Sequence, residues 1–129
     1  MAGRCQRVFR ANDLLIDLLI HGGGRMGHRV LSQVREHPEF ELVALVSRTR
    51  PEDLADIPWR ASLDDVDEPA GLLIDFTLPQ GAKTAAAWCA RNGVPFLSGT
   101  TGLKEPETRA LEEAARDVPV LAAPNLSQG

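Results

Sequence analysis

Apolar positions along this chain fall into short runs separated by longer segments of helical spacing. Leu14 to Ile20, Glu41 to Val46, Leu72 to Phe76 and Val118 to Ala122 are four such runs, and Val94 to Leu97 is a shorter fifth. They are nearly continuous, not alternating, as expected of parallel strands buried on both faces. Between the first two, Arg25 to His37 places Met26, Val30, Leu31 and Val34 on one helical face, and Pro38 prevents continuation. A second helix is expected from Pro79, a residue favoured in a first turn, through Ala85 to Arg91, with Gly93 as its left-handed stop. The charge pattern of Glu105 to Arg116 predicts a third. Strand and helix thus alternate as in βαβ units, which predicts an α/β fold with one open, doubly wound parallel sheet of Rossmann type. Its ligand is expected beyond the carboxyl ends of the strands.

Residues 50–70 break the rhythm. Three prolines, many acids and little periodicity predict a loop-rich connection with short elements at most. The first 13 residues carry Arg4, Arg7 and Arg10 with no acid before Asp13. They read as a disordered N-terminal extension and not as an export signal, because the apolar run that follows contains Asp17 and leads directly into glycines. Residues 14–129 are then expected to form a single domain.

A length of 129 residues suits one domain, and 43% hydrophobic with 25% charged residues suits a globular one with neither disorder nor a membrane partner indicated. The net charge of −4 argues against a nucleic-acid partner, which normally shows as a basic face. Cys5 and Cys89 lie far apart with no CxxC spacing, so neither a zinc site nor a disulfide framework is suggested, and no metal is expected. A reducing cytoplasm suits them.

The chemistry concentrates at strand ends. Ile20-His21-Gly22-Gly23-Gly24-Arg25-Met26-Gly27 follows a predicted strand and opens a predicted helix, the setting in which GxGxxG acquires meaning. Gly22 permits the tight turn, Gly24 keeps a Cβ away from a pyrophosphate, and Gly27 lets helix and strand pack closely. The free amides and positive dipole of the helix N-terminus would receive the diphosphate. A turn that binds nothing is the plainer alternative. His21 reads as a strand-end residue, with no other His, Cys or paired carboxylate at ligand spacing.

The second strand ends in Ser47-Arg48-Thr49-Arg50, without the acid that dinucleotide folds use to bind the adenosine ribose. A hydroxyl and two guanidiniums suit a 2′-phosphate instead, so NADPH is expected as the preferred cofactor, with NADH as the alternative. Glu52 or Asp53 could neutralise an arginine in place of a ligand. Asp75-Phe76-Thr77-Leu78-Pro79, Gly99-Thr100-Thr101-Gly102 and Ala123-Pro124-Asn125-Leu126-Ser127-Gln128-Gly129 close three further runs. Such loops can line a cofactor crevice, although the same residue types make ordinary turns.

Taken in order, Gly24-Arg25-Met26-Gly27, the DFT segment, GTTG and APNxSxG resemble the dihydrodipicolinate reductase family, also called 4-hydroxy-tetrahydrodipicolinate reductases, of lysine and diaminopimelate biosynthesis. The resemblance spans residues 14–129. It implies an N-terminal Rossmann domain, followed in the family by a smaller substrate and tetramerisation domain, and hydride transfer from NADH or NADPH to a cyclic dicarboxylate. By position, Gly22, Gly23, Gly24, Arg25, Met26 and Gly27 would form the pyrophosphate turn, and Ser47 and Arg48 would meet the ribose. Phe76, Thr77, Gly99, Thr100 and Thr101 would lie beside the nicotinamide, with Thr101 also facing substrate. Ala123, Pro124, Asn125 and Leu126 would complete the wall.

Several departures from the family pattern stand out. Counting back from Gly24 puts His21 at the family's first glycine, so either Gly22 takes that role in a shorter turn or His21 replaces it. Ser47 stands where many members carry an acid, and Leu126 where phenylalanine is frequent. The family's HHxxKxDAPSGTA-like segment, with its acid and its substrate-gripping lysine, does not occur between Met1 and Gly129. No catalytic residue is therefore assigned, and the sequence reads as the cofactor half of a reductase whose tetramer would need the second domain. A free-standing nucleotide-binding module without catalysis is the alternative.

Overall fold

The computed structural model describes residues 15–51 and 57–122, apart from the Met26 side chain. Strand β1 (Ile16–His21) leads through helix α1 (Arg25–Glu36) to β2 (Phe40–Val46). A short strand, β3 (Trp59–Arg60), and a 3-10 turn at Leu63–Asp65 precede β4 (Leu72–Asp75). Helix α2 (Pro79–Asn92), β5 (Phe96–Ser98), α3 (Glu105–Ala114) and β6 (Val120–Ala122) follow. Every pairing is parallel, in the order β3-β2-β1-β4-β5-β6. This is the doubly wound arrangement of a Rossmann-type sheet, reversing direction at β1.

Both faces of the sheet are covered, which is why its strands read as unbroken apolar runs. Along β1, Leu18 and Ile20 pack with Leu31 and Val34 of α1, whereas Leu19 between them faces the other way, into the cluster of Ala85, Ala86, Trp88 and Cys89. In β2, Leu45 joins the first layer and Ala44 and Val46 the second. Each fully buried Leu or Ile stabilises the fold by about 1.5–3 kcal/mol. Ala82, Ala85 and Ala86 are completely buried on α2, so that helix meets the sheet through side chains that lose almost no rotamer entropy on burial.

The sheet has one strand more than the periodicity predicts. Trp59 and Arg60 pair with Leu45 and Val46, a ladder too short to leave a period-2 signature inside the proline-rich connection. Other boundaries shift slightly. β1 extends to His21, β6 begins at Val120 and not at Val118, and α3 ends at Ala114. Gly93 ends α2 with φ +70° and donates its amide to the Cys89 carbonyl, as its type and place predict. The expected N-terminal extension, Leu14, Glu52, Asp53 and Ala123 to Leu126 lie outside the described residues.

Candidate functional site

β1 feeds α1 on one side of the sheet, while β4, its neighbour on the other side, feeds α2. The two connections diverge and leave a cleft of about 650 Å³ at the carboxyl ends of the strands. Gly22, Gly23, Gly24, Ser47, Arg48, Phe76 and Thr77 line it together, from three separate parts of the chain. Leu78, Gln80, Gly81 and Thr84, which the sequence reading does not single out, line it as well, and so does His21, read from sequence as a strand-end residue. A depression of similar size, about 660 Å³, lies at the opposite ends of β1 and β4, beside Asp17, Gly71 and Pro95. It offers no helix N-terminus and no arginine among its lining residues, so the first cleft is the better candidate.

The glycine turn is built by backbone contacts. Gly22 has φ +118° and donates its amide to the Val46 carbonyl at 2.8 Å. A Cβ there would stand 3.0 Å from the Phe76 carbonyl carbon, so Gly22 makes the turn and His21 stays the last residue of the strand. At Gly27, a Cβ would run into the Gly22 carbonyl oxygen, so the absence of a side chain lets α1 rest on the turn. Gly24, the N-cap of α1, has open space around its Cβ position. No side chain caps this helix and its first turn contains no acid, so its leading amides are left to an external anion. That combination fits a diphosphate.

Across the cleft, Ser47 donates its hydroxyl to the Thr49 carbonyl at 2.9 Å and accepts from Trp59 Nε1 at 3.1 Å. Arg48 is exposed and lines the cleft. Arg50 is not among the lining residues; its guanidinium lies over the Trp59 ring, 6.0 Å from the centroid. The expectation of two arginines at this end therefore narrows to one.

Beneath the cleft lies a buried carboxylate. Asp75, fully buried at the end of β4, accepts from His21 Nδ1 at 2.8 Å and from Thr77 Oγ1 at 2.8 Å through one oxygen, and from Thr100 Oγ1 at 2.6 Å through the other. The Thr100 hydroxyl is thus committed to Asp75 and not aimed at the cleft. Thr101 is exposed, and Gly99 sits against the Phe76 ring, where a Cβ would collide. Gly81 makes a comparable close approach to Thr77, a role that a glycine two residues after the helix-opening Pro79 could have signalled. Gly99, Thr100 and Thr101 do not line the main cleft; Thr100 and Gly99 support its floor and wall through Asp75 and Phe76.

The chain matches the family model described as dihydrodipicolinate reductase, N-terminus, over residues 6–126. It is 36% identical over 118 residues to the 4-hydroxy-tetrahydrodipicolinate reductase of Caldanaerobacter subterraneus subsp. tengcongensis, covering 90% of this chain and 46% of that protein. It is 38% identical over 123 residues to the Stenotrophomonas maltophilia enzyme of the same name, covering 92% and 52%. The chain therefore spans about half the length of these relatives. Its fold matches dipicolinate-bound dihydrodipicolinate reductase from Paenisporosarcina sp. TG-14 with a TM-score of 0.69 at 23% identity, covering 86% of this chain and 48% of that one. The WlbA dehydrogenase of Chromobacterium violaceum, solved with NADH and UDP-GlcNAcA, aligns with a TM-score of 0.71 at 18% identity, over 90% and 37%. With motif order, sheet topology and family match in agreement, the chain belongs to the dihydrodipicolinate reductase family, as its N-terminal, Rossmann-type domain.

Proposed function

We propose that this domain binds NAD(P)H for a 4-hydroxy-tetrahydrodipicolinate reductase, with NADPH preferred. The observation that carries the reading is the uncapped, acid-free N-terminus of α1 opening with the glycine turn into the cleft at the switch point of the sheet. The amides of Gly23, Gly24 and Arg25 to Gly27 would hold the diphosphate, and their dipole favours its charge. Ser47 and Arg48 would meet the adenosine ribose, and an arginine fork there would bind a 2′-phosphate. Phe76 and Thr77 would lie beside the nicotinamide, with Gly99 to Thr101 behind them and Thr101 toward substrate. Ala123 to Leu126, outside the described residues, would close the wall. Once bound, the cofactor supplies a hydride for a cyclic dicarboxylate in lysine and diaminopimelate biosynthesis. This chain's own part is to hold it, orient it and exclude water. Tetramer formation and the protonation of substrate belong, in this reading, to a second domain, and the enzyme works in the cytoplasm.

Calorimetric titration of the purified chain with NADPH and NADH tests this. The expected result is binding of both, tighter for NADPH at low ionic strength, with no steady-state reduction of the family's substrate. Hydride transfer needs donor and acceptor carbons within about 3–3.5 Å, and in this reading a second domain holds the acceptor there. Absence of binding to either cofactor would overturn the proposal, and turnover by the chain alone would overturn its division of labour.

A further inference from the structure

His21 is a titratable residue of the cleft that the cofactor reading leaves without a role. It ends β1, beside Val46 of β2 and Asp75 of β4, with a side chain that is 13% exposed. Its Nδ1 meets Asp75 Oδ1 at 2.8 Å. Asp75 is an acceptor of three hydrogen bonds, two from threonine hydroxyls and the third from the His21 ring, the one titratable partner of this buried carboxylate among the described residues.

The other ring nitrogen, Nε2, has no hydrogen-bond partner among the described residues, yet no buried side-chain nitrogen or oxygen there is unsatisfied. Nε2 is therefore open to the cleft that His21 lines. We infer that His21 is an anion-contacting residue of this cleft, with the proton on Nδ1 held by Asp75 and Nε2–H directed at the diphosphate of the bound dinucleotide. The inference rests on the cofactor reading above. Loss of a proton reverses the contact, because with Nδ1–H kept on Asp75 the neutral ring turns a lone pair toward the phosphate oxygens. Binding should consequently be linked to proton uptake and weaken as the pH rises.

Few other groups can produce that dependence. Arg48 is the other charged residue lining the cleft, and arginine keeps its charge throughout. Arg25 and His28 stand on the first turns of α1 and Lys83 is exposed on α2, none of them among the lining residues. Behind Asp75, the Cys89 thiol is pushed up to about 12 by burial and then by the Asp75 charge, and stays neutral.

The test uses ADP-ribose, which carries the diphosphate without a 2′-phosphate that would titrate in the same range. Its affinity for the unaltered chain is measured by calorimetry from about pH 5 to 8, the span over which histidine side chains change charge. The expected loss across it is about tenfold, the weight of one charge-assisted hydrogen bond. Repeating the titration in buffers of different ionisation enthalpy reads proton uptake directly and needs no variant. His21→Gln, which preserves a donor toward Asp75, should bind at the wild-type high-pH level and lose the pH dependence. A flat profile without proton uptake, or an unaltered profile in His21→Gln, would overturn the role of His21 while leaving the cofactor reading intact. No binding at any pH would overturn both.

Discussion

The conformation of Gly22 makes a quantitative test of how the cleft is built. Replacement by alanine meets two obstacles, a backbone φ of +118° and a Cβ placed 3.0 Å from the Phe76 carbonyl carbon, 3.1 Å from its oxygen and 3.2 Å from Thr77 Cγ2. The Phe76 backbone cannot simply retreat, because its amide is bonded to the His21 carbonyl at 2.8 Å. Strain at such a φ costs about 1–3 kcal/mol, and mild overpacking costs about 1 kcal/mol more. Alanine returns about 0.4–1 kcal/mol by restricting the unfolded chain, which leaves a net destabilisation of about 2 kcal/mol. With a urea m-value of about 1.5 kcal/mol/M, the midpoint should fall by roughly 1 M.

Gly93→Ala supplies the control. Gly93 also has a positive φ, +70°, but nothing lies within 4 Å of its Cβ position, so only the conformational cost applies. That substitution should cost about 1 kcal/mol or less after the same correction. Urea unfolding of both variants, followed by circular dichroism, separates strain from contact. A Gly22→Ala variant no less stable than Gly93→Ala would refute the close packing of the turn against β4.

Gly24→Val should fold normally, since no atom lies within 4 Å of its Cβ position, yet lose NADPH binding; unchanged affinity by calorimetry would place the diphosphate elsewhere. Arg48→Ala should weaken NADPH at least tenfold and spare NADH, given about 1.5–3 kcal/mol for a charge-assisted contact, and Ser47→Asp should reverse the preference. Both are read by paired titrations at low salt, and Arg50→Ala should leave the ratio intact because Arg50 lies over Trp59. Cys89 should resist alkylation at pH 8 until the chain unfolds, as peptide mapping by mass spectrometry can show. Its thiol is raised from 9.0 to about 12 by burial and the Asp75 charge, so the stability this gives is complete below pH 9 and is lost as the pH climbs toward 12. At pH 10 the unfolded thiol is mostly ionised, so wild type should lose about 1.4 kcal/mol more than Cys89→Ala between pH 8 and 10.

Much of this architecture is written in local pattern. Continuous apolar runs such as Leu18 to Ile20 announce strands buried on both faces, and Pro38, Pro79 and Gly93 mark helix ends through backbone chemistry that acts within a few residues. The glycine turn is legible for the same reason, since turn geometry, close approach and helix opening all lie between Gly22 and Gly27. Short or distant pairings are not. β3 has two residues and becomes a strand only by pairing with Leu45 and Val46. Arg48 and Arg50 look equivalent in sequence, yet in the fold Arg48 lines the cleft while the Arg50 guanidinium lies over the Trp59 ring. His21 and Asp75 stand 54 positions apart, so their hydrogen bond exists only once β1 and β4 lie side by side. Periodicity and turn chemistry are properties of neighbouring residues and survive in the linear chain. The electrostatics of a buried carboxylate depend on which groups the sheet brings within 3 Å, and that is decided by the folded structure alone.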